Sequence, residues 1–158
     1  MSTDRHAAAQ DALSALARPQ TVLVVDDEES IRHLIEVMLE LEGYRVLHAE
    51  TGERALEIAA EEHLDLITLD VMMPGLDGWQ VAEALDAAPQ TASIPRMMVS
   101  GKPLIELESN PGRGRAAAVL AKPFDFAQFT ELVRQLLTPA VLSAVPSPRQ
   151  EDDPSGVL

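Results

Sequence analysis

The chain is 158 residues long, 46% hydrophobic and 24% charged, with a formal net charge of −14 and no cysteine. That length and balance fit one globular domain with a real core plus tails. The charge disfavours nucleic acid as a direct partner and leaves divalent cations and basic protein surfaces, while the missing thiols exclude disulfides, thiolate chemistry and cysteine-based zinc.

His6, His33, His48 and His63 share no metal-ligand spacing and read as solvated or structural. No apolar stretch approaches the ~20 residues of a membrane span. The N-terminus lacks the apolar core of a signal peptide, so a cytoplasmic protein with no membrane partner is expected.

Residues 1–19 are Ala-rich and close on Arg18-Pro19. They read as a flexible or weakly helical leader, with Ala9, Leu13 and Leu16 on one face and Pro19 as the stop. Thr21 to Val25 is a continuous β-branched run that ends in Asp26-Asp27-Glu28-Glu29, the pattern of a strand buried on both faces. A helix follows, with Ile31, Leu34, Ile35, Met38 and Leu39 on one apolar face, acidic residues at its start to suit the helix dipole, and Gly43 just past its end. Residues 44–49 read as a more polar edge strand. Thr51 caps a helix to about Glu62, with Leu56, Ala59 and Ala60 inward.

The run His63 to Asp70 is apolar, ends in a carboxylate, and is followed by the Pro/Gly-rich turn Val71-Met72-Met73-Pro74-Gly75-Leu76-Asp77-Gly78. A third helix spans about Gly78 to Ala87, with Val81, Ala84 and Leu85 inward. Arg96 to Ser100 is the fourth strand and Ala117 to Ala121 the fifth, the latter running into Lys122-Pro123. Between them, Lys102 to Arg115 contains Asn110-Pro111-Gly112-Arg113-Gly114. Proline and glycine cost several kcal/mol in a helix interior, so the fourth helix is expected to be truncated and irregular. The last helix opens on a capping box, Asp125 with Gln128, and a hydrophobic staple, Phe124 with Phe129. It buries Phe129, Leu132, Val133, Leu136 and Leu137. Residues 139–158, rich in Pro, Ser and acids, read as a disordered tail.

Five strands alternating with helices give an α/β, doubly wound parallel sheet, (βα)5, of flavodoxin-like order 2-1-3-4-5. In that order the carboxyl ends of strands 1, 3, 4 and 5 are neighbours, and they carry Asp26 and Asp27, Asp70, Ser100 and Lys122. Crowded carboxylates repel unless a cation neutralises them. Oxygen-only donors select a hard ion, Mg²⁺ or Mn²⁺. A carboxylate nucleophile with a divalent ion, a lysine and a hydroxyl describes phosphoryl transfer onto aspartate.

On these residues the chain resembles the receiver domain of two-component response regulators, over residues 20–138. The matching positions are Asp26-Asp27, the run Asp70 to Gly78, Ser100-Gly101 and Lys122-Pro123-Phe124; 30 residues separate Asp70 from Ser100 and 22 separate Ser100 from Lys122. The resemblance implies a phosphoacceptor switch rather than an enzyme. Asp70 would take the phosphoryl group from a sensor histidine kinase or a phosphotransfer protein. Asp26, Asp27 and the Met72 carbonyl would hold Mg²⁺ with Asp70, Ser100 and Lys122 would contact the phosphoryl oxygens, and the Lys122-Pro123 bond would be cis. The signal would be read by an unknown downstream protein through direct contact.

Two positions depart from the family. Val119 stands three residues before the lysine, where the family usually has an aromatic ring. The irregular fourth helix alters the usual output face. The 20 residues after Thr138 are too few for an output module, so a stand-alone receiver is expected. Two readings compete with the switch. One is a phosphorylation-independent interaction module on the same fold, which would not need the full acidic and lysine set. The other is a haloacid-dehalogenase-type hydrolase, whose nucleophile sits in an Asp-x-Asp motif on its first conserved strand, unlike Asp70-Val71-Met72.

Overall fold

The computed structural model describes residues 18–138; the leader helix expected over residues 4–17 and the tail expected over 139–158 lie outside the described residues. The elements are β1 (Thr21–Val25), α1 (Glu29–Leu41), β2 (Arg45–Ala49), α2 (Gly52–Glu61), β3 (Leu66–Asp70), α3 (Gly78–Ala87), β4 (Arg96–Ser100), α4 (Leu104–Ser109), β5 (Ala118–Ala121) and α5 (Phe126–Leu137), with a single 3-10 turn at Arg113–Arg115. The sheet order is β2-β1-β3-β4-β5, and every neighbouring pair is parallel.

Strand side chains alternate between two cores, as the two-residue period requires. Leu23, Val25, Ile67, Leu69, Met98 and Val119 pack against α2, α3 and α4 through residues such as Ile58, Val81, Leu85 and Leu107. Val22, Val24, Leu66, Met97 and Val99 pack against α1 and α5 through Ile35, Leu39, Phe129 and Val133. Burial on both faces explains why β1, β3 and β4 read as unbroken apolar runs. β2, at the edge, is only partly covered.

Local signals set the helix boundaries. Thr51 Oγ1 accepts from the Arg54 N–H at 3.1 Å. Both halves of the capping box are made at α5 by Asp125 and Gln128, and at α3 by Asp77 and Gln80. The Phe124 and Phe129 rings stack with centroids 5.3 Å apart, and Gly43 takes a positive φ of 90° just beyond α1.

Three sequence expectations need correction. Leu34 is 51% exposed rather than inward, and with Val37 and Leu41 it forms an outward stripe on α1. The buried stripe of α1 is narrower, carried by Ile35, Met38 and Leu39. On α2 the buried residues are Gly52, Ala55, Ile58 and Ala59, whereas Ala60 faces solvent; adjacent alanines leave the phase of such a helix ambiguous to sequence. On α3, Ala82 is buried while Ala84 is only partly covered. The expected truncation of α4 is observed: it has 6 residues and gives way to the turn around Pro111 and Gly112 that precedes the 3-10 segment.

Candidate functional site

The site is assembled at the carboxyl ends of the strands, around the point where the strand order reverses between β1 and β3. Asp26 leaves β1 with its N–H bonded to the Ala49 carbonyl at 3.2 Å and is 1% exposed. Asp27, next along, is exposed. Asp70 is the last residue of β3 and 6% exposed. One carboxylate oxygen from each of Asp26, Asp27 and Asp70 lies within 4.8 Å of the others.

Lys122, immediately after β5, reaches across this cluster. Its Nζ donates to Asp26 Oδ2 at 2.9 Å and stands 3.7 Å from Asp70 Oδ2. The Lys122-Pro123 bond is cis, as expected. Ser100 ends β4 and is fully buried. Its Oγ accepts from the Lys102 N–H at 3.3 Å, and its carbonyl accepts from the Lys122 N–H at 2.7 Å. β5 thus delivers the lysine in register with the hydroxyl residue.

The turn after β3 is built for close approach. The Met72 N–H donates to Asp70 Oδ1 at 3.1 Å, while the Met72 side chain is 58% exposed. Gly75 adopts φ +75°, which a β-carbon disfavours. The Gly78 N–H returns to the Val71 carbonyl at 3.1 Å, and a β-carbon on Gly78 would come within 2.5 Å of the Asp70 carbonyl oxygen.

Electrostatics follow from this crowding. Burial, reinforced by Asp26 and Asp27, pushes the Asp70 carboxyl up to about 6 against the partial opposition of Lys122 and the Met72 N–H. Asp70 is therefore still mostly ionised at neutral pH, but with less margin than an ordinary carboxylate has. For Lys122, burial alone would lower the ammonium; the Asp26 hydrogen bond and the charges of Asp26 and Asp70 outweigh it, and the net shift is upward.

The sequence-predicted residues Asp26, Asp27, Asp70 and Lys122 come together directly, Ser100 joins them through the adjoining strand ends, and Met72 touches Asp70 through its backbone. Val119 is buried in the core between the sheet, α3 and α4. Sequence reasoning missed Arg32, whose guanidinium donates to the Asp26 carbonyl at 2.7 Å. It also missed the Glu28 N–H on Asp26 Oδ1 at 2.9 Å. Both contacts engage backbone groups, which leave no side-chain signature in sequence. The histidines stay outside: His33 and His48 face Glu36 at 3.7 and 3.0 Å, His63 faces Asp65 at 3.5 Å, and His6 lies outside the described residues.

The response regulator receiver domain family matches residues 22–134. The chain is 38% identical over 138 residues to the alkaline phosphatase synthesis transcriptional regulatory protein PhoP of Bacillus subtilis, covering 87% of this chain and 56% of that protein. It is 34% identical over 116 residues to the DNA-binding dual master transcriptional regulator RpaA of Synechocystis, covering 73% of this chain and 48% of that one. The chain thus spans about half the length of the curated relatives it matches. Among solved structures, response regulator TrrA of Thermotoga maritima in complex with Mg²⁺-BeF superposes with a TM-score of 0.69 at 32% identity, over 75% of this chain and 99% of that one. TrrA has also been solved in complex with the histidine kinase ThkA. The chain belongs to the response regulator receiver domain family.

Proposed function

We propose that residues 20–138 form a phosphoacceptor switch in which Asp70 receives a phosphoryl group from the phosphohistidine of a sensor histidine kinase or phosphotransfer protein. One observation carries the reading: three carboxylates converge within 4.8 Å beside a single ammonium. Such a surplus of negative charge fits a divalent cation, and the all-oxygen donor set fits Mg²⁺, or Mn²⁺ of the same hard class. Asp26, Asp27, Asp70 and the Met72 carbonyl are the residues that would hold it. When bound, the ion supplies charge neutralisation for the transferring phosphoryl oxygens.

The remaining work belongs to the chain. Ionised Asp70 attacks phosphorus in line, a phosphorus–oxygen bond forms, and the phosphorus–nitrogen bond of the donor breaks with its electron pair retained by the imidazole. Asp70 needs no general base, because the carboxylate is ionised above about pH 6. Lys122 offers a fixed positive charge and Ser100 a hydroxyl to the incoming oxygens. Lys122 sits on Asp26 at 2.9 Å beforehand, so engaging a phosphoryl group requires it to turn from that partner. The chemistry is self-phosphorylation and release within a signalling domain, not turnover of a free substrate. Readout is by a downstream protein in the cytoplasm; the chain's net charge of −14 disfavours nucleic acid as a direct partner.

The test is intact mass after incubation with Mg²⁺ and acetyl phosphate. One added phosphoryl group is expected on the wild type and none on Asp70→Asn. An unmodified wild-type mass, under conditions that label other receiver domains, overturns the switch.

A further inference from the structure

Asp26 is held from every side. Its N–H reaches the Ala49 carbonyl at 3.2 Å, its Oδ1 accepts from the Glu28 N–H at 2.9 Å, and its Oδ2 accepts from Lys122 at 2.9 Å. Its carbonyl oxygen is taken by Arg32 Nη1 at 2.7 Å. The last contact differs from the others in what it fixes. That carbonyl belongs to the peptide unit joining Asp26 to Asp27, so its orientation sets the backbone angles on either side and thereby the direction in which both acidic side chains leave the chain.

Arg32 is well placed to impose that orientation. It lies in the first turns of α1, half-buried, and its own N–H is bonded to the Glu28 carbonyl at 3.0 Å. The side chain therefore bridges back from a packed helix across the whole β1–α1 connection. Among three carboxylates that repel one another, an unanchored connection would relax and spread them apart. We infer that Arg32 is a positioning residue for the metal-binding pair: its bond to the Asp26 carbonyl holds Asp26 and Asp27 in the convergent geometry that a divalent cation requires.

This inference rests on the phosphoacceptor reading, and charge makes the two separable. Arg32 is a cation beside a cation site. If it acted by charge alone, removing it would tighten Mg²⁺ binding; as a positioning residue, its removal loosens binding, as loss of outer supports of metal ligands does by about tenfold or more. Mg²⁺ affinity is measured by calorimetric titration of the full chain, wild type against Arg32→Ala and Arg32→Lys. The expected result is at least about tenfold weaker binding for Arg32→Ala, with Arg32→Lys, which keeps the charge and a donor, in between. At saturating Mg²⁺ the rate of acetyl phosphate labelling of Asp70 returns to near wild type, a split that general damage to the fold would not produce. Equal or tighter Mg²⁺ binding by Arg32→Ala overturns the inference and leaves the switch standing. If Arg32→Ala does not fold, Arg32→Lys decides in the same way: weaker binding upholds the inference, and unchanged or tighter binding overturns it. A wild type that takes up no Mg²⁺ overturns both.

Discussion

The two flanks of the sheet's carboxyl end are built differently. On the β1–β3 flank, helices of 13, 10 and 10 residues follow their strands, and the loop after Asp70 is tied back by the Met72 N–H on Asp70 Oδ1 and the Gly78 N–H on the Val71 carbonyl. On the β4 flank, a helix of 6 residues, a proline-glycine turn and a 3-10 segment replace a full helix, and Leu104 and Ile105 stand 50% and 77% exposed. The contrast separates chemistry from its relay. Groups that must meet within hydrogen-bonding distance sit at or beside strand ends, whereas the segment beside Val119 covers the sheet with a short helix and an irregular turn.

Even the looser flank has one firm node. Arg96, at the start of β4, is 4% exposed. Its Nη1 pairs with Asp86 at the end of α3 and reaches the Arg115 carbonyl at 3.3 Å, while Nη2 donates to the Thr91 and Ala92 carbonyls, both at 3.1 Å. Asp86 also meets Arg115 at 3.4 Å. The irregular segment is pinned to α3 by buried charge where a longer helix would have been held by apolar packing.

The contrast can be broken or sharpened by substitution. The largest effect is expected at Gly78, where a β-carbon would stand 2.5 Å from the Asp70 carbonyl oxygen and 2.9 Å from Val71 Cα. Gly78→Ala must push α3 off the end of β3, costing about 3 kcal/mol or more and slowing acetyl phosphate labelling. Unchanged denaturant midpoint and labelling would mean that the β3 flank is as yielding as its neighbour. Next is Arg96→Met, which leaves Asp86 with Arg115 alone, strands several carbonyls and is expected to lower unfolding free energy by about 3 kcal/mol. Ile105→Ser, on the exposed part of the same flank, is expected to stay within about 0.5 kcal/mol; equal losses at the two positions would dissolve the distinction between node and cover.

The third effect has the opposite sign. Asp70 titrates near 6 in the fold against an ordinary 3.8, so between those values the folded chain binds more protons than the unfolded one. Stability therefore falls as pH rises through that window, and the full penalty is present above it. In metal-free protein Asp70→Asn should raise unfolding free energy by on the order of 1–3 kcal/mol near pH 7, with the gain fading toward pH 4. A melting temperature unchanged or lowered at neutral pH would show that Asp70 is not stored under strain of charge.

Much of this was legible in the sequence, because the informative residues sit at strand ends. Apolar runs that stop at Asp26, Asp70, Ser100 and Lys122 disclose both the buried strands and what their carboxyl ends carry. The broken fourth helix was equally plain from Pro111 and Gly112. Helix phase was not: Leu34 and Ala60 satisfied a helical period yet face solvent, since a period identifies a stripe but not how wide a neighbour covers it. Arg32 and Arg96 were invisible for another reason. Apart from the Asp86 carboxylate on Arg96, their partners are main-chain carbonyls brought close by folding, and every residue has a carbonyl. The one hint was an arginine heading the otherwise apolar run Met97-Met98-Val99.

The amide of Gln20 donates to the Leu137 carbonyl at 3.0 Å, which brings the beginning of β1 together with the end of α5. In a parallel sheet that junction lies at the pole opposite Asp70. Both ends of the described residues therefore meet on the side of the domain away from the carboxylate cluster. The same closeness makes the domain a natural cassette: it can be spliced into a longer chain, or permuted at its joined ends, without stretching the sheet that aligns its carboxylates.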